Sequence, residues 1–279
     1  MEPSAVALVL LAGLLHAGWN AVLRFGGDRL VVMALLNASA GLVALVLLPT
    51  APLPAGPAWP VLLLSVALHT GYKYYLVRAY AHGDLGQVYP IARGTAPLLV
   101  CGLAWTVLGE TLRASPLLAV ALTSVAVAAL ALRGGVPLRT EWRGIGYALV
   151  TAGFIAAYTV TDAAGARLAG SPHAYTLWLF VLDGAAFAAF VALLQGAPLV
   201  RLVPRVWRKA LVGGTMSLVA YWLVIWALTL GPAAPVAALR ETSVLFAALL
   251  ATFVLKEPFG RWRIVSAVVV ALGVVLLRL

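Results

Sequence analysis

The sequence carries very little charge for its length. Only 10% of its 279 residues are Asp, Glu, Lys or Arg, whereas an average soluble domain has about 25%. Hydrophobic residues make up 63% of the chain, and the mean hydropathy is +1.03. A surface built from these residues cannot be wetted by water, so we predict an integral membrane protein.

Cysteine and nucleotide-binding motifs are also scarce or missing. The single cysteine, Cys101, excludes an intramolecular disulfide, and the scattered histidines and cysteine show no metal-site spacing. The chain has no P-loop, which argues against transport driven by ATP hydrolysis within it. We therefore predict no cofactor, no metal and no catalytic residues.

The net charge is +10. Its basic residues stand singly or in small groups between apolar runs, without the continuous basic stripe of a nucleic-acid-binding protein. Cationic loops orient membrane proteins, and this explains the charge without a polyanionic partner. We predict no nucleic-acid partner.

Apolar runs long enough to cross a bilayer, which takes roughly 20 residues, occur ten times. The N-terminal run begins with an acid rather than a basic group, and predicts a retained first span rather than a signal peptide. The fold class we predict is all-α integral membrane, with ten transmembrane helices. The spans are 4–23, 30–48, 60–82, 85–108, 115–132, 144–163, 173–194, 209–229, 232–255 and 261–278.

The chain contains an internal repeat. At an offset of 147 residues, RGTAPLLVCGLAWTVLGE (93–110) aligns without a gap on RETSVLFAALLATFVLKE (240–257). The scarce residues coincide: Arg93 with Arg240, Thr95 with Thr242, and Glu110 with Glu257. The repeated unit contains five helices, and because this number is odd, the second copy enters the membrane from the opposite side. We therefore predict two inverted repeats, 1–137 and 138–279, in one membrane domain.

Loop charges predict the orientation. In each repeat-matched pair of loops, the member richer in basic residues falls on the same side of the membrane. By the positive-inside rule that side is cytoplasmic, so both termini are predicted to be non-cytoplasmic, in a cell (inner) membrane. The basic side collects Arg24, Arg29, Arg78, Arg133, Arg139, Arg143, Arg201, Arg205, Arg208, Lys209, Lys256, Arg261 and Arg263.

Ionisable residues inside the spans mark a candidate site, because each costs roughly 2.5–3.5 kcal/mol at mid-membrane. Arg93 and Arg240 lie about eight residues inside spans 4 and 9, near prolines that free backbone carbonyls. They either line a cavity or hold the bundle together. The predicted substrate-binding residues are Arg93, Arg240, Lys73, His16, Trp19, Asn20, Tyr74, Thr95, Tyr158, Trp222, Glu241 and Thr242.

Other polar residues have competing interpretations. His16, Glu241 and Asp183 are candidates for proton coupling, and Glu241 could instead pair with Lys73 or Arg93. Trp19 and Asn20 lie near the end of a span, where aromatic residues often sit at the membrane–water interface and polar residues often cap the helix. Asp162 corresponds in span 6 to the polar face of span 1, and the alternative is that it is simply solvated, because it lies near the end of the span.

The glutamates that close spans 4 and 9 form a second matched pair. Glu110 and Glu257 end the two spans on opposite sides of the membrane. We expect them to cap a helix or to anchor a loop.

The HAGWN motif (16–20), the YPIARGTAP stretch (89–97) and the ETL and EPF endings of spans 4 and 9 resemble the EamA-type branch of the drug/metabolite transporter superfamily. The resemblance covers essentially the whole chain. It implies a secondary carrier, often an exporter of amino acids or other small metabolites, with a central cavity between the halves. It also implies that helices 1, 3, 4, 6, 8 and 9 line the cavity and that helices 5 and 10 lie at the periphery.

The predicted function is therefore a secondary-active carrier, not an enzyme. It would export a small polar metabolite, such as an amino acid or another small organic anion or zwitterion, by alternating access, with proton coupling as an option. The alternatives are an integral membrane enzyme acting on lipid-linked substrates and a non-transporting membrane subunit. The expected partners are the small-molecule substrate, protons and the bilayer; the oligomeric state is left open.

Overall fold

The protein is described by a computed structural model that covers residues 2–23, 28–131, 142–196, 198–246 and 261–276. These residues are 90% helical and contain no strand. The chain is thus all-α, as predicted. The helices are α1 Pro3–Leu23, α2 Arg29–Leu47, α3 Ala58–His82, α4 Leu85–Leu108, α5 Ala114–Ala129, α6 Trp142–Leu168, α7 Pro172–Gln195, α8 Pro198–Leu230, α9 Ala233–Arg240 and α10 Arg261–Leu276.

Short polar side chains fix where several helices begin. Asp28 accepts hydrogen bonds from the Leu30 and Val31 amides at 2.8 and 3.3 Å, and Asp84 accepts one from the Gly86 amide at 2.6 Å. Such N-caps satisfy amides that have no partner inside the helix. The ends of these helices are therefore set locally by the sequence.

The outer surface of the bundle is apolar. Val46 is 79% exposed and Leu193 is 87% exposed, which suits hydrocarbon rather than water. Five helical segments of the described chain are long and apolar enough to cross a membrane, and Pro3–Trp19 and Ala114–Ala129 are shorter apolar helices. The five segments are Arg29–Thr50, Gly86–Leu108, Trp142–Leu168, Pro172–Gln195 and Val206–Leu230.

Glycines let helices of the bundle approach closely. A Cβ on Gly94 of α4 would lie 2.5 Å from the Ala128 amide nitrogen of α5. A Cβ on Gly184 of α7 would lie 2.7 Å from the Asn37 carbonyl oxygen of α2. Small residues at such crossings are typical of helix packing within membranes. The close α2–α7 contact brings polar side chains of both helices toward the centre of the bundle.

The end of α6 and the start of α8 differ from the predicted boundaries. Helix α6 was predicted over 144–163 but continues to Leu168. Helix α8 begins at Pro198, so much of the predicted basic loop 195–209 is helical instead. In both cases polar and basic residues were taken as loop signals, although a helix can extend past the hydrocarbon into the interface.

The predicted span 232–255 is interrupted. Helix α9 ends at Arg240, Glu241 forms a turn, and residues 242–246 are again helical. The remainder of that span, and residues 133–141 of the predicted basic loop 133–144, lie outside the described residues. The interruption therefore falls at the arginine and glutamate that were singled out as site residues.

Candidate functional site

A cavity opens between the helices near the middle of the bundle. The volume available to the centres of water molecules is about 70 Å³, and one water requires roughly 10–15 Å³ on this measure. The cavity therefore has room for a few waters or for a small solute. Its lining residues are Ala12, Gly13, His16, Trp19, Met33, Leu36, Asn37, His69, Tyr72, Lys73, Arg93, Tyr158, Leu179, Phe180, Asp183, Ser217, Ala220, Tyr221, Val224 and Arg240.

The lining comes from both halves of the chain. The predicted lining helices α1, α3, α4, α6, α8 and α9 all contribute, and α2 and α7 contribute as well. Asn37 on α2 and Asp183 on α7 are the polar residues that these two additional helices bring. Their contribution follows from the close α2–α7 crossing at Gly184.

Two buried ion pairs border the cavity. The Lys73 ammonium on α3 donates to Oδ2 of Asp183 on α7, and its nitrogen lies 4.9 Å from the centre of the Phe187 ring. The Arg93 Nε on α4 donates to Oε2 of Glu241 at 3.0 Å. Each pair places opposite charges together, which lowers the cost of burying them.

Arg240 differs from the other buried cations. It is only 7% exposed, yet no carboxylate of the described chain lies within ion-pair distance of its guanidinium. Its Nη2 donates to the Tyr158 hydroxyl at 3.5 Å, and its Cζ lies 5.3 Å from the centre of the Tyr221 ring. These neutral contacts leave a full positive charge at the cavity wall without a directly paired anion.

Two further polar atoms on the lining have no hydrogen-bond partner in the described part of the chain. They are Nη2 of Arg93 and Oδ1 of Asp183, on residues that are 2% and 5% exposed. Buried polar atoms are normally satisfied. A donor and an acceptor left open at one cavity suit a polar ligand or water.

Asp162 is the centre of a hydrogen-bond network beside the cavity. This carboxylate is 0% exposed, which excludes the alternative that it is solvated. Its Oδ1 accepts hydrogen bonds from the hydroxyls of Ser65 and Tyr175, the latter at 2.8 Å. Its Oδ2 accepts one from the Tyr221 hydroxyl and lies 3.1 Å from Nε2 of His69. Four side chains on α3, α7 and α8 therefore converge on one acid of α6.

Aromatic rings connect this network to Arg240. The His69 ring stacks on the Tyr158 ring, with centroids 4.1 Å apart and an interplanar angle of 22°. Tyr158 in turn accepts the hydrogen bond from Arg240. Tyr221 contacts both Asp162 and Arg240, through its hydroxyl and its ring respectively.

The structure brings half of the predicted binding residues to the cavity. The six that line it are Arg93, Arg240, Lys73, His16, Trp19 and Tyr158, and the proton-coupling candidate Asp183 joins them. Trp19 donates from Nε1 to Nδ1 of His16 at 3.2 Å. That these residues line one cavity fits substrate binding, which stays a prediction.

The other predicted binding residues lie away from the lining. Glu241 is buried against Arg93, and the Thr242 hydroxyl donates to the Leu239 carbonyl at 2.8 Å. Tyr74 packs edge-on against Phe190, Trp222 stacks on His173, and Thr95 is half-buried on α4. The side chain of Asn20 lies outside the described residues.

Asn37, His69, Tyr72 and Tyr221 line the cavity without having been predicted as binding residues. The spacing of His69, Tyr72 and Lys73 on one face of α3 was a usable signal for the first two. A lone amide in the apolar run of α2 was the available signal for Asn37. For Tyr221 the signal was only that an aromatic ring can stack on a substrate, and it is weak because aromatic residues of membrane helices are usually packing residues.

Glu110 has the structural role that was predicted for it. Its carboxylate accepts hydrogen bonds from the Ala233 amide and from Nη2 of Arg167, both at 2.7 Å. Arg167 also donates to the Leu228 and Gly231 carbonyls. The end of α4 is thus fastened to the start of α9 and to the end of α6. Its repeat mate Glu257 lies outside the described residues.

Residues 142–279 match the EamA-like transporter family. This half of the chain belongs to the EamA-like transporter family. The match confirms the resemblance predicted from the motifs, and, together with the apolar helices, it identifies a multi-pass membrane protein.

A solved crystal structure resembles this chain over 99% of its length and 96% of that chain, with a TM-score of 0.78 and 17% sequence identity. At this identity the likeness shows a shared fold alone. No curated protein matches the sequence.

Proposed function

We propose that the protein is a secondary-active carrier of the inner membrane. It moves a small organic anion or zwitterion by alternating access, and it is not an enzyme. The observation that carries the proposal is Arg240, a buried cation at a cavity wall without a paired carboxylate in the described chain. A substrate carboxylate or phosphonate would supply the missing anion through charge-assisted hydrogen bonds.

The neighbouring groups support an anion with a polar remainder. Arg93 offers an unpaired Nη2 beside Arg240, and Asp183 offers an unpaired Oδ1 on the same lining. The rings of Tyr158 and Tyr221 provide apolar walls. A few precisely placed polar groups among aromatic ones are typical of small-molecule sites.

The helix contacts support an inverted repeat with halves 1–137 and 138–279. In this repeat each helix of the first half corresponds to the helix five positions later, so that α1 corresponds to α6 and α3 to α8. Replacing every helix by its counterpart turns the contact between α3 and α6 into the contact between α8 and α1, and both contacts are present. The contacts of α2 with α7, α4 with α9 and α5 with α10 map onto themselves. A two-fold arrangement of this kind allows the halves to rock around a fixed midplane site. In our proposal both termini are non-cytoplasmic.

Binding and flux measurements test the proposal. The purified protein would be screened by thermal shift with small carboxylates, phosphonates and amino acids, and with ammonium ions of similar size. We expect anions or zwitterions to stabilise it and the cations to fail. Hits would then be followed as labelled solutes in proteoliposomes.

Arg240→Gln removes the proposed anchor. A hydrogen bond to a charged group contributes about 1.5–3 kcal/mol, so we expect affinity to fall by roughly ten- to a hundredfold. The matched control is Arg113→Gln, which changes an exposed arginine at the start of α5. A folded Arg240→Gln protein that binds and carries the hit as well as wild type does would refute the proposed site.

A further inference from the structure

The buried charges around the cavity are balanced in the described chain. The cations are Lys73, Arg93 and Arg240, and the anions are Asp162, Asp183 and Glu241. These three charges of each sign cancel when His16 and His69 are counted as neutral. Two of the cations have an acid in direct contact, and the third, Arg240, is linked to Asp162 through the Tyr221 side chain, whose ring lies by Arg240 and whose hydroxyl bonds Asp162.

An anion that binds Arg240 disturbs this balance. The bound anion neutralises the positive charge of Arg240. The buried groups and the anion together then carry one uncompensated negative charge in a low-dielectric setting. Such a charge is costly unless a cation or proton joins it. Binding of the anion therefore favours uptake of a proton nearby.

The candidate acids differ in their ability to take that proton. Glu241 and Asp183, both suggested by the sequence, each form a buried ion pair with a cation, Arg93 and Lys73 respectively. A proton on either acid would leave its cation buried without an anion, which is costly. Asp162 instead contacts the imidazole of His69, a group that can bind a proton without breaking an ion pair.

The geometry of the pair suits proton binding. Because Nε2 of His69 lies 3.1 Å from a carboxylate oxygen, the neutral ring carries its hydrogen on Nε2 and leaves Nδ1 free to accept a proton. The imidazolium would keep the same hydrogen bond, strengthened by charge. The groups around the pair are Ser65, Tyr72 and Lys73 on α3, Tyr158 on α6, Tyr175 and Asp183 on α7, Tyr221 on α8 and Arg240 on α9.

We propose that His69 and Asp162 form the proton-binding site of the carrier and take up one proton when an anion occupies Arg240. This inference rests on the proposed function for the anion that binds Arg240. It adds where the proton binds and that anion binding favours proton uptake. The pair also bridges the halves of the chain, since His69 belongs to α3 and Asp162 to α6. A proton bound here acts on a contact between the two halves.

Histidine NMR of the full chain in nanodiscs tests the proton site without a known substrate. The chain has four histidines, and each signal is assigned by its own His→Gln variant. Arg240→Gln removes the positive charge much as a bound anion would neutralise it. We expect the pH midpoint of the His69 signal to rise by on the order of one unit, while Arg240→Lys stays near wild type and His173 does not move.

A second arm uses methanesulfonate, an oxyanion that does not titrate in this pH range. In wild type, saturating methanesulfonate should raise the His69 midpoint, and in Arg240→Gln it should have no effect. In Asp162→Asn the midpoint should fall, because the carboxylate no longer stabilises the imidazolium. This last comparison does not depend on Arg240 variants or on anion binding.

The outcomes separate the two proposals. A His69 midpoint that is the same in wild type, Arg240→Gln and Asp162→Asn overturns the proton site, whether or not anions are carried. A response of His16 in place of His69 also overturns it. If the variants shift His69 but methanesulfonate does not, the proton site is supported and the anion site at Arg240 fails for this oxyanion.

Discussion

Lys73 on α3 and Asp183 on α7 form an ion pair inside the bundle that joins one half of the chain to the other. Both side chains are almost fully buried, at 6% and 7% exposure. Removing one partner would leave the other charge buried without compensation, whereas removing both leaves an apolar contact.

We therefore expect Lys73→Met to destabilise the protein by about 3–5 kcal/mol. The double variant Lys73→Met/Asp183→Leu should be clearly more stable than Lys73→Met alone. Unfolding by denaturant in a defined detergent measures the difference. Equal losses in the single and double variants would show that the pairing of charges does not matter here.

Gly94→Ala should loosen the packing of α4 on α5. The added methyl would lie 2.5 Å from the Ala128 nitrogen and 2.8 Å from the Ser124 oxygen, both backbone atoms that cannot rotate away. Overpacking of this kind costs about 1–3 kcal/mol, seen as a lower thermal midpoint. Gly102→Ala, on the same helix with nothing within 4 Å of the new Cβ, is the matched control and should not destabilise.

Glu241→Gln tests the electrostatics of the cavity. Arg93 would lose its anionic partner, so the cavity would gain net positive character while the bundle becomes less stable. We expect methanesulfonate to bind several-fold more tightly than in wild type, since the cation is no longer neutralised. Calorimetric titration measures this affinity. Weaker binding in a folded Glu241→Gln protein would contradict anion binding beside Arg93.

Glu110→Gln should weaken the junction of α4, α6 and α9. The amide can still meet the Ala233 nitrogen through its oxygen, but it loses the ionic contact with Arg167. Because Arg167 is 35% exposed, screening limits the loss to about 1 kcal/mol or less. Glu2→Gln, at an exposed position of the chain, is the control. A drop of several kcal/mol would indicate that this junction is a main support of the fold.

The sequence predicted the helices well because hydropathy is a property of each segment alone. Span 4 was predicted over 85–108 and α4 is Leu85–Leu108. The repeat also predicted that Arg93 and Arg240 would occur together, and both line the cavity. Which helices pack side by side could not be predicted in this way, because several arrangements of apolar helices satisfy the same hydropathy profile. The Lys73–Asp183 pair was accordingly not predicted.

Asp162 shows how a boundary error becomes an error about chemistry. Placing the end of span 6 at residue 163 put this acid beside the aqueous phase. Helix α6 continues to Leu168, so Asp162 lies more than a turn before the end of its helix. Its donors come from three other helices, and no pattern within α6 could reveal them.

The balanced charges of the cavity have a consequence for energetics across the membrane. Moving one elementary charge through 100 mV corresponds to about 2.3 kcal/mol. In the proposed carrier, a cavity with three buried cations and three buried anions in the described chain would alternate between the two sides of the membrane without electrical work. Under the proposed coupling, an anion with its proton is carried electroneutrally as well, so voltage drives neither step. The direction of net movement is then set by the gradients of the solute and of pH.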